Sequence, residues 1–184
     1  GDLVALRDGP FREVEERLAT ELHRDWVKAV KAPYPDANFT LRLSFGKVKD
    51  YTATATGKTH RYMTTLSELL AKETGKWPFT VPGTLAEAAK GDLGRWKDEV
   101  LGDVPINFTS TLDTTGGNSG SPVLDSRGRL VGLLFDGTSE SILSDWQYLE
   151  EEQRSICVDI RFALFLAEKV HGATELMVEI GLAE

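Results

Sequence analysis

Between Pro10 and Lys31 the apolar residues Phe11, Val14, Leu18, Leu22, Trp26 and Val30 recur at steps of three and four. That spacing stacks them on one face of an amphipathic helix, with Pro10 in the first turn, where its missing N–H costs nothing. The run "APYPDAN" ends the helix, because two prolines and a turn-forming Asp-Ala-Asn enforce an extended link. The period then changes to two. In "NFTLRLSFG", Phe39, Leu41, Leu43 and Phe45 alternate with Thr40, Arg42 and Ser44, which predicts a strand with one buried face. "KVKDYTATAT" is rich in β-branched and aromatic residues and is expected to pair back on that strand.

Two short helices follow, each expected to open on a capping box. Thr65 with Glu68 starts the first, which should stop by Gly75, and Thr84 with Glu87 starts the second, which should stop by Gly91. "SPVLDSRGRLVGLLFDG" reads as two apolar strands joined by a tight turn at 125–128. After the acidic loop "SDWQYLEEEQR", "SICVDI" predicts a short last strand, and Phe162, Leu164, Phe165, Leu166 and Val170 mark a C-terminal helix. The chain therefore divides near residue 35 into a helical piece and a strand-rich unit that ends in a helix.

Composition narrows the partners. A net charge of -8 lacks the basic face that nucleic acid calls for. No apolar run approaches the ~18 residues of a membrane span. Cys157 is the single cysteine, which excludes an internal disulfide, and its apolar strand setting predicts a buried thiol acting as a small hydrophobe. No metal-ligand spacing stands out, so neither a metal nor another cofactor is expected. "GDLVALRDGPFREVEERL" has no initiating Met, basic n-region or apolar h-region. It is not a signal peptide, and the chain is expected to be cut from a longer one.

The chemistry concentrates at 114–122, "TTGGNSGSP". A nucleophilic serine needs an exposed Oγ on a stiff loop and backbone N–H groups aimed at the developing oxyanion. Gly116, Gly117 and Gly120 permit the positive φ angles that turn successive amides to one side. On that geometry Ser119 is the nucleophile, and the N–H groups of Gly117 and Ser119 form the oxyanion hole. A phosphate loop would need a Gly-Lys ending, which is absent. The α/β-hydrolase elbow needs glycine two residues after the serine, where this chain has Ser121. A polar hairpin loop without chemistry is the competing reading.

"GNSGSPV" resembles the nucleophile loop of chymotrypsin-like serine peptidases, usually Gly-Asp-Ser-Gly-Gly-Pro, where a hairpin, a strand and a helix follow the serine. More specifically, "YPDANFTLRLSFGKVKDY", "TTLSELLAKE", "VPINFTSTLDTTGGNSGSPVL", "GRLVGLLFDG" and "VDIRFAL" resemble the bacterial dipeptidyl peptidases typified by dipeptidyl-peptidases 7 and 11. The resemblance implies a mainly β fold, a chymotrypsin-like double β-barrel interrupted by an inserted helical domain. Residues 1–35 would end that insertion, and residues 36–184 would form the C-terminal barrel. It implies that Ser119 attacks the scissile bond, that Asp136 holds the ammonium of the substrate N-terminus, and that the catalytic His and Asp lie upstream, outside these residues. Gly137 matches the position where acid-specific members carry Arg, which implies an apolar or aromatic P1 residue. Asp113, six residues before Ser119, is expected to brace the loop rather than bind a basic P1 side chain. Asn118 replaces the Asp that pairs with a freed N-terminus in trypsin-like zymogens, so no such activation step is expected. Family members are exported, which implies the periplasm or cell surface.

Of the three histidines, His23 and His171 sit on predicted helices and His60 in a polar turn, none in the setting of a peptidase base. Three readings stand at this point. The chain is the nucleophile-bearing part of a serine dipeptidyl peptidase, inactive alone, whose partners are peptides and the first barrel and helical domain of the same polypeptide, with homodimerisation open. It is a non-catalytic module that holds peptide N-termini. Or it is a small complete hydrolase with His60 as its base.

Overall fold

The computed structural model describes residues 41–145 and 147–183, with scattered positions between 14 and 25. The chain clusters into two compact units, Gly1–Asn38 and Phe39–Glu184. In the first, Val14, Arg17, Leu18, Thr20, Glu21, Leu22, Arg24 and Asp25 are helical. The rest of the expected helix, its stop and His23 lie outside the described residues.

The second unit is mainly β with short helices, as the sequence predicts. Its strands are β1 (Tyr51–Thr52), β2 (Thr59–His60), β3 (Met63–Thr65), β4 (Pro105–Ser110), β5 (Pro122–Leu124), β6 (Leu130–Gly137) and β7 (Ser155–Asp159). β1 and β2 make a small hairpin, and the other five form an antiparallel sheet in the order β3-β4-β7-β6-β5. Period-two alternation sorts the central strands, so that Phe108, Leu134 and Cys157 meet in one buried cluster. A larger core gathers Leu66, Leu85, Trp96, Val104, Ile106, Phe165 and Met177. Phe165 reaches it from the helix Ile160–Phe165, which Asp159 caps by accepting the Arg161 N–H at 2.9 Å. The Arg161 guanidinium is held by Asp159 at 2.8 Å and Asp98 at 2.6 Å, fixing that helix to the loop before β4.

Cys157 is fully buried, as expected, and burial pushes its thiol up to about 11, against a weak contact with the Ser110 hydroxyl. A raised value keeps the thiol protonated at pH 8, and the thiolate is the reactive form. Alkylation of the folded protein at that pH should run on the order of 10²-fold slower than free cysteine. Labelling with a thiol reagent across a denaturant series checks this, and labelling of the folded state at the free-cysteine rate would contradict it.

Three expectations do not hold. Residues 41–47 form no strand, and Leu41, Leu43 and Phe45 are 102%, 89% and 87% exposed. Alternation marks a face suited to burial, yet no apolar surface of this unit covers it. Pairing begins only downstream, where Val48 bridges Ser110 and the Lys47 carbonyl accepts the Thr111 N–H at 2.9 Å. Gly46 allows that approach, since a Cβ there would stand 2.6 Å from the Thr111 carbonyl oxygen. Second, β1 does not pair back on residues 39–45; Tyr51 pairs with His60 and Thr52 with Thr59. Third, only one capping box forms as predicted. Thr65 donates its N–H to Glu68 at 3.0 Å, but the other helix, Gly83–Ala88, begins after Pro82, leaving Thr84 inside its first turn and Glu87 paired with Lys90. Both helices also end early, at Leu70 and Ala88.

The connection from β6 to β7 starts with a 3-10 helix, Ser139–Asp145, and its other described residues form no helix or strand. Buried side chains satisfy its backbone instead of a ladder. Arg154, 2% exposed, donates to the carbonyls of Asp50 (3.0 and 3.1 Å), Gln153 (2.6 Å) and Glu150. Gln153 donates to the carbonyls of Gln147 (3.0 Å) and Glu140 (3.2 Å).

Candidate active site

The β5–β6 hairpin closes as its residues predict. Asp125 accepts the N–H groups of Arg127 (2.8 Å) and Arg129 (3.0 Å), and Gly128 takes φ +75°. The hairpin sets Leu134 beside the glycine loop. Gly120 donates its N–H to the Leu134 carbonyl at 2.7 Å, and Leu134 returns a bond to the Ser121 carbonyl at 3.0 Å. Within the loop, the Asn118 side-chain oxygen accepts the Thr115 N–H at 2.9 Å, and the Ser121 N–H donates to the Asn118 carbonyl at 3.0 Å. Asn118 thus spends its amide on bracing the loop.

Gly117 at φ +95° and Gly120 at φ +84° flank Ser119 in conformations that a Cβ would strain. Ser119 is exposed. Neither its N–H nor that of Gly117 finds an acceptor among the described residues, so these two amides are not spent in pairing.

Ser119 borders a cleft of about 360 Å³, together with Thr114, Gly116 and the end of β6. The pairing of β6 with β7 slips between Leu134 and Asp136, leaving Phe135 as an extra residue. Such a bulge re-aims the side chains that follow. Asp136 lines the cleft and is exposed; one oxygen accepts the Gly137 N–H at 2.8 Å, and the other has no protein partner among the described residues. Gly137 lines the same cleft, but the space of its missing side chain is not empty. A Cβ there would stand 2.9 Å from the Ser141 Cβ.

Asp113 does not line this cleft. Its carbonyl accepts the Ser44 hydroxyl at 2.9 Å, and its charge acts on Tyr148. Burial first, then Glu150 and Asp113, hold the Tyr148 phenol above its usual range, while its hydroxyl donates to the Thr111 carbonyl at 2.6 Å. His60 stacks on Tyr51 in the small hairpin, 4.9 Å between ring centres, and does not border Ser119. His171 follows the π-helical turn Leu166–Val170. No histidine among the described residues lines the cleft, and no group of three His, Cys, Asp or Glu among them could hold a metal.

Sequence reasoning singles out none of the cleft lining that comes from 139–145. Ser141, Ile142 and Ser144 come from the 3-10 helix, and Ser144 donates to the Thr114 carbonyl at 3.2 Å. The only advance signal is the Ser- and Thr-rich run after Gly137.

Comparison with known proteins gives this geometry a lineage. The profile of the Peptidase S46 family matches residues 6–182. Dipeptidyl-peptidase 7 of Phocaeicola vulgatus is 41% identical over 171 residues, which cover 89% of this chain and 23% of that protein. The Asp/Glu-specific dipeptidyl-peptidase of Capnocytophaga gingivalis is 40% identical over 98% of this chain and 27% of its own length. The crystal structure of Porphyromonas endodontalis DPP11 with the dipeptide Arg-Asp superposes with a TM-score of 0.73 at 38% identity, over 84% of this chain and 23% of that one. The chain spans about a quarter of the length of these relatives. From the glycine loop to the C-terminal helix, sequence and backbone lead to the same conclusion: this chain belongs to the Peptidase S46 family.

Proposed function

We propose that the chain is the nucleophile-bearing part of a serine dipeptidyl peptidase that releases dipeptides from peptide N-termini after an apolar or aromatic P1 residue. One observation carries this reading. An exposed serine and a carboxylate oxygen without a partner among the described residues share one cleft, and the N–H groups of that serine and of nearby Gly117 are unspent among those residues.

The chemistry follows from those positions. Ser119 Oγ attacks the carbonyl of the second residue, and its proton passes to a general base. The N–H groups of Gly117 and Ser119 receive the oxyanion. Collapse expels the shortened peptide, and water then releases the dipeptide from the acyl-enzyme. Asp136 anchors the substrate ammonium, so the enzyme counts two residues from a charged end. Among the described residues no Lys or Arg lines the cleft, which favours apolar over acidic P1 side chains. The general base in this reading is a histidine with its aspartate from the rest of the polypeptide, because none of the described histidines lines the cleft. That placement also disfavours His60 as a base. The reading extends to export to the periplasm or cell surface, as the family resemblance in the sequence implies.

Incubating the full-length protein with free and N-acetylated peptides carrying Phe, Leu or Asp at position two tests the reading by mass spectrometry. Dipeptides should leave only the free peptides, fastest after Phe or Leu. Internal cleavage of acetylated peptides would overturn the exopeptidase assignment. Binding of free N-termini without cleavage would instead favour a non-catalytic module.

A further inference from the structure

Ser141, half-buried in the 3-10 helix, is held through both its backbone and its side chain. Its N–H donates to the Thr138 carbonyl at 2.8 Å, its hydroxyl to the Arg154 carbonyl at 3.0 Å, and the two hydroxyls of Ser141 and Thr138 lie 3.2 Å apart. Arg154 is itself anchored by bonds to the carbonyls of Asp50, Glu150 and Gln153. At the other end of the segment, Ser144 is tied to Thr114. Between the two ties stands Ile142, 78% exposed and lining the cleft. This stretch of the cleft lining is therefore tied at both ends.

Position 137 looks into that lining. A Cβ built on Gly137 meets the Ser141 Cβ at 2.9 Å and its Oγ at 3.3 Å. The next neighbour, the Arg154 carbonyl oxygen, is at 3.6 Å, an ordinary contact. The conflict thus comes from one side chain, and removing it removes the conflict. Gly137 is not in the left-handed region, so its backbone imposes no further bar.

We propose that Ser141 is a specificity-determining residue of the cleft. By filling the space against Gly137 it closes that side of the pocket, so the P1 preference belongs to the pair 137/141 and not to Gly137 alone. A larger residue at 137 can contribute to the pocket only when 141 is reduced. The inference rests on the reading of this cleft as the P1 pocket.

A double-mutant cycle in the full-length protein tests it, using dipeptidyl coumarin amides with Phe or Asp at P1. Gly137→Ala should lower kcat/KM for the Phe substrate about tenfold, mainly through KM, because overpacking a fixed wall deforms it. Adding Ser141→Gly should restore most of that loss. Gly137→Arg alone should lose the Phe substrate without gaining the Asp substrate. Gly137→Arg with Ser141→Gly should cleave the Asp substrate at least about tenfold faster than Gly137→Arg alone. Full activity of Gly137→Ala, or failure of Ser141→Gly to rescue it, overturns the proposal, and the alanine pair decides even where the arginine variants do not fold. Fluorophosphonate labelling separates the two levels. A labelled, active wild type without rescue defeats the role of Ser141 alone, whereas an unlabelled, inactive wild type defeats the peptidase reading and this inference with it.

Discussion

Ser119→Ala in the full-length protein should fold normally and lose about 10⁶-fold in kcat for dipeptide release. Normal folding is expected because Ser119 is exposed and its hydroxyl has no partner among the described residues, so removing it opens no cavity and strands none of them. The loss is expected to be large because, in the proposed mechanism, the nucleophile, its base and the base's orienting acid act as a unit. What survives is the ~10³–10⁴ advantage over water that oxyanion donors and binding supply together. An unchanged melting temperature, absent fluorophosphonate labelling and a collapsed kcat form the expected triplet. The 184-residue chain by itself should behave as the alanine variant does, since no histidine among its described residues lies at the cleft. Retention of even one part in a hundred of wild-type activity by Ser119→Ala would remove this serine from the mechanism.

Asp136→Asn should lower kcat/KM by about 10²-fold, chiefly through KM, as expected when one partner of a desolvated charge pair is neutralised. The amide oxygen can still accept the Gly137 N–H, so the bulge after Leu134 keeps its shape and the change reports charge alone. A pH signature accompanies it. The substrate's α-amino group titrates near ~7.7–8.0, so wild-type kcat/KM should fall as pH rises through that range and the ammonium is lost. In the asparagine variant that alkaline limb should flatten, because little charge recognition remains to lose. A variant within twofold of wild type, with the limb intact, would show that another group holds the N-terminus.

Much of the architecture could be read from local pattern. The β5–β6 hairpin has apolar strands on both sides of Asp125 and Gly128, and those two residues make the turn they are suited to make. Ser155–Asp159 follows from its apolar run, and the helix after it from Phe162, Leu164 and Phe165, whereas the Asp159 cap that opens that helix was not read in advance. The glycine loop was legible because positive φ at Gly117 and Gly120 is a property of residue type. Two features were not. Leu41, Leu43 and Phe45 show where burial is wanted, but a periodicity cannot say whether the covering surface belongs to the same unit. Ser141 carries no local mark either. Its importance arises only because the 3-10 turn brings its Cβ against a glycine four residues earlier, and the segment's anchor, Arg154, lies thirteen residues on.

The paired bonds between Leu134 and its neighbours Gly120 and Ser121 have a thermal consequence. Leu134 belongs at once to the loop's footing and to the buried cluster with Phe108 and Cys157. Loosening the serine's surroundings should therefore require breaking contacts in the sheet itself, so inactivation and unfolding of the full-length protein are expected at one temperature, which activity and melting followed on the same heating series would check.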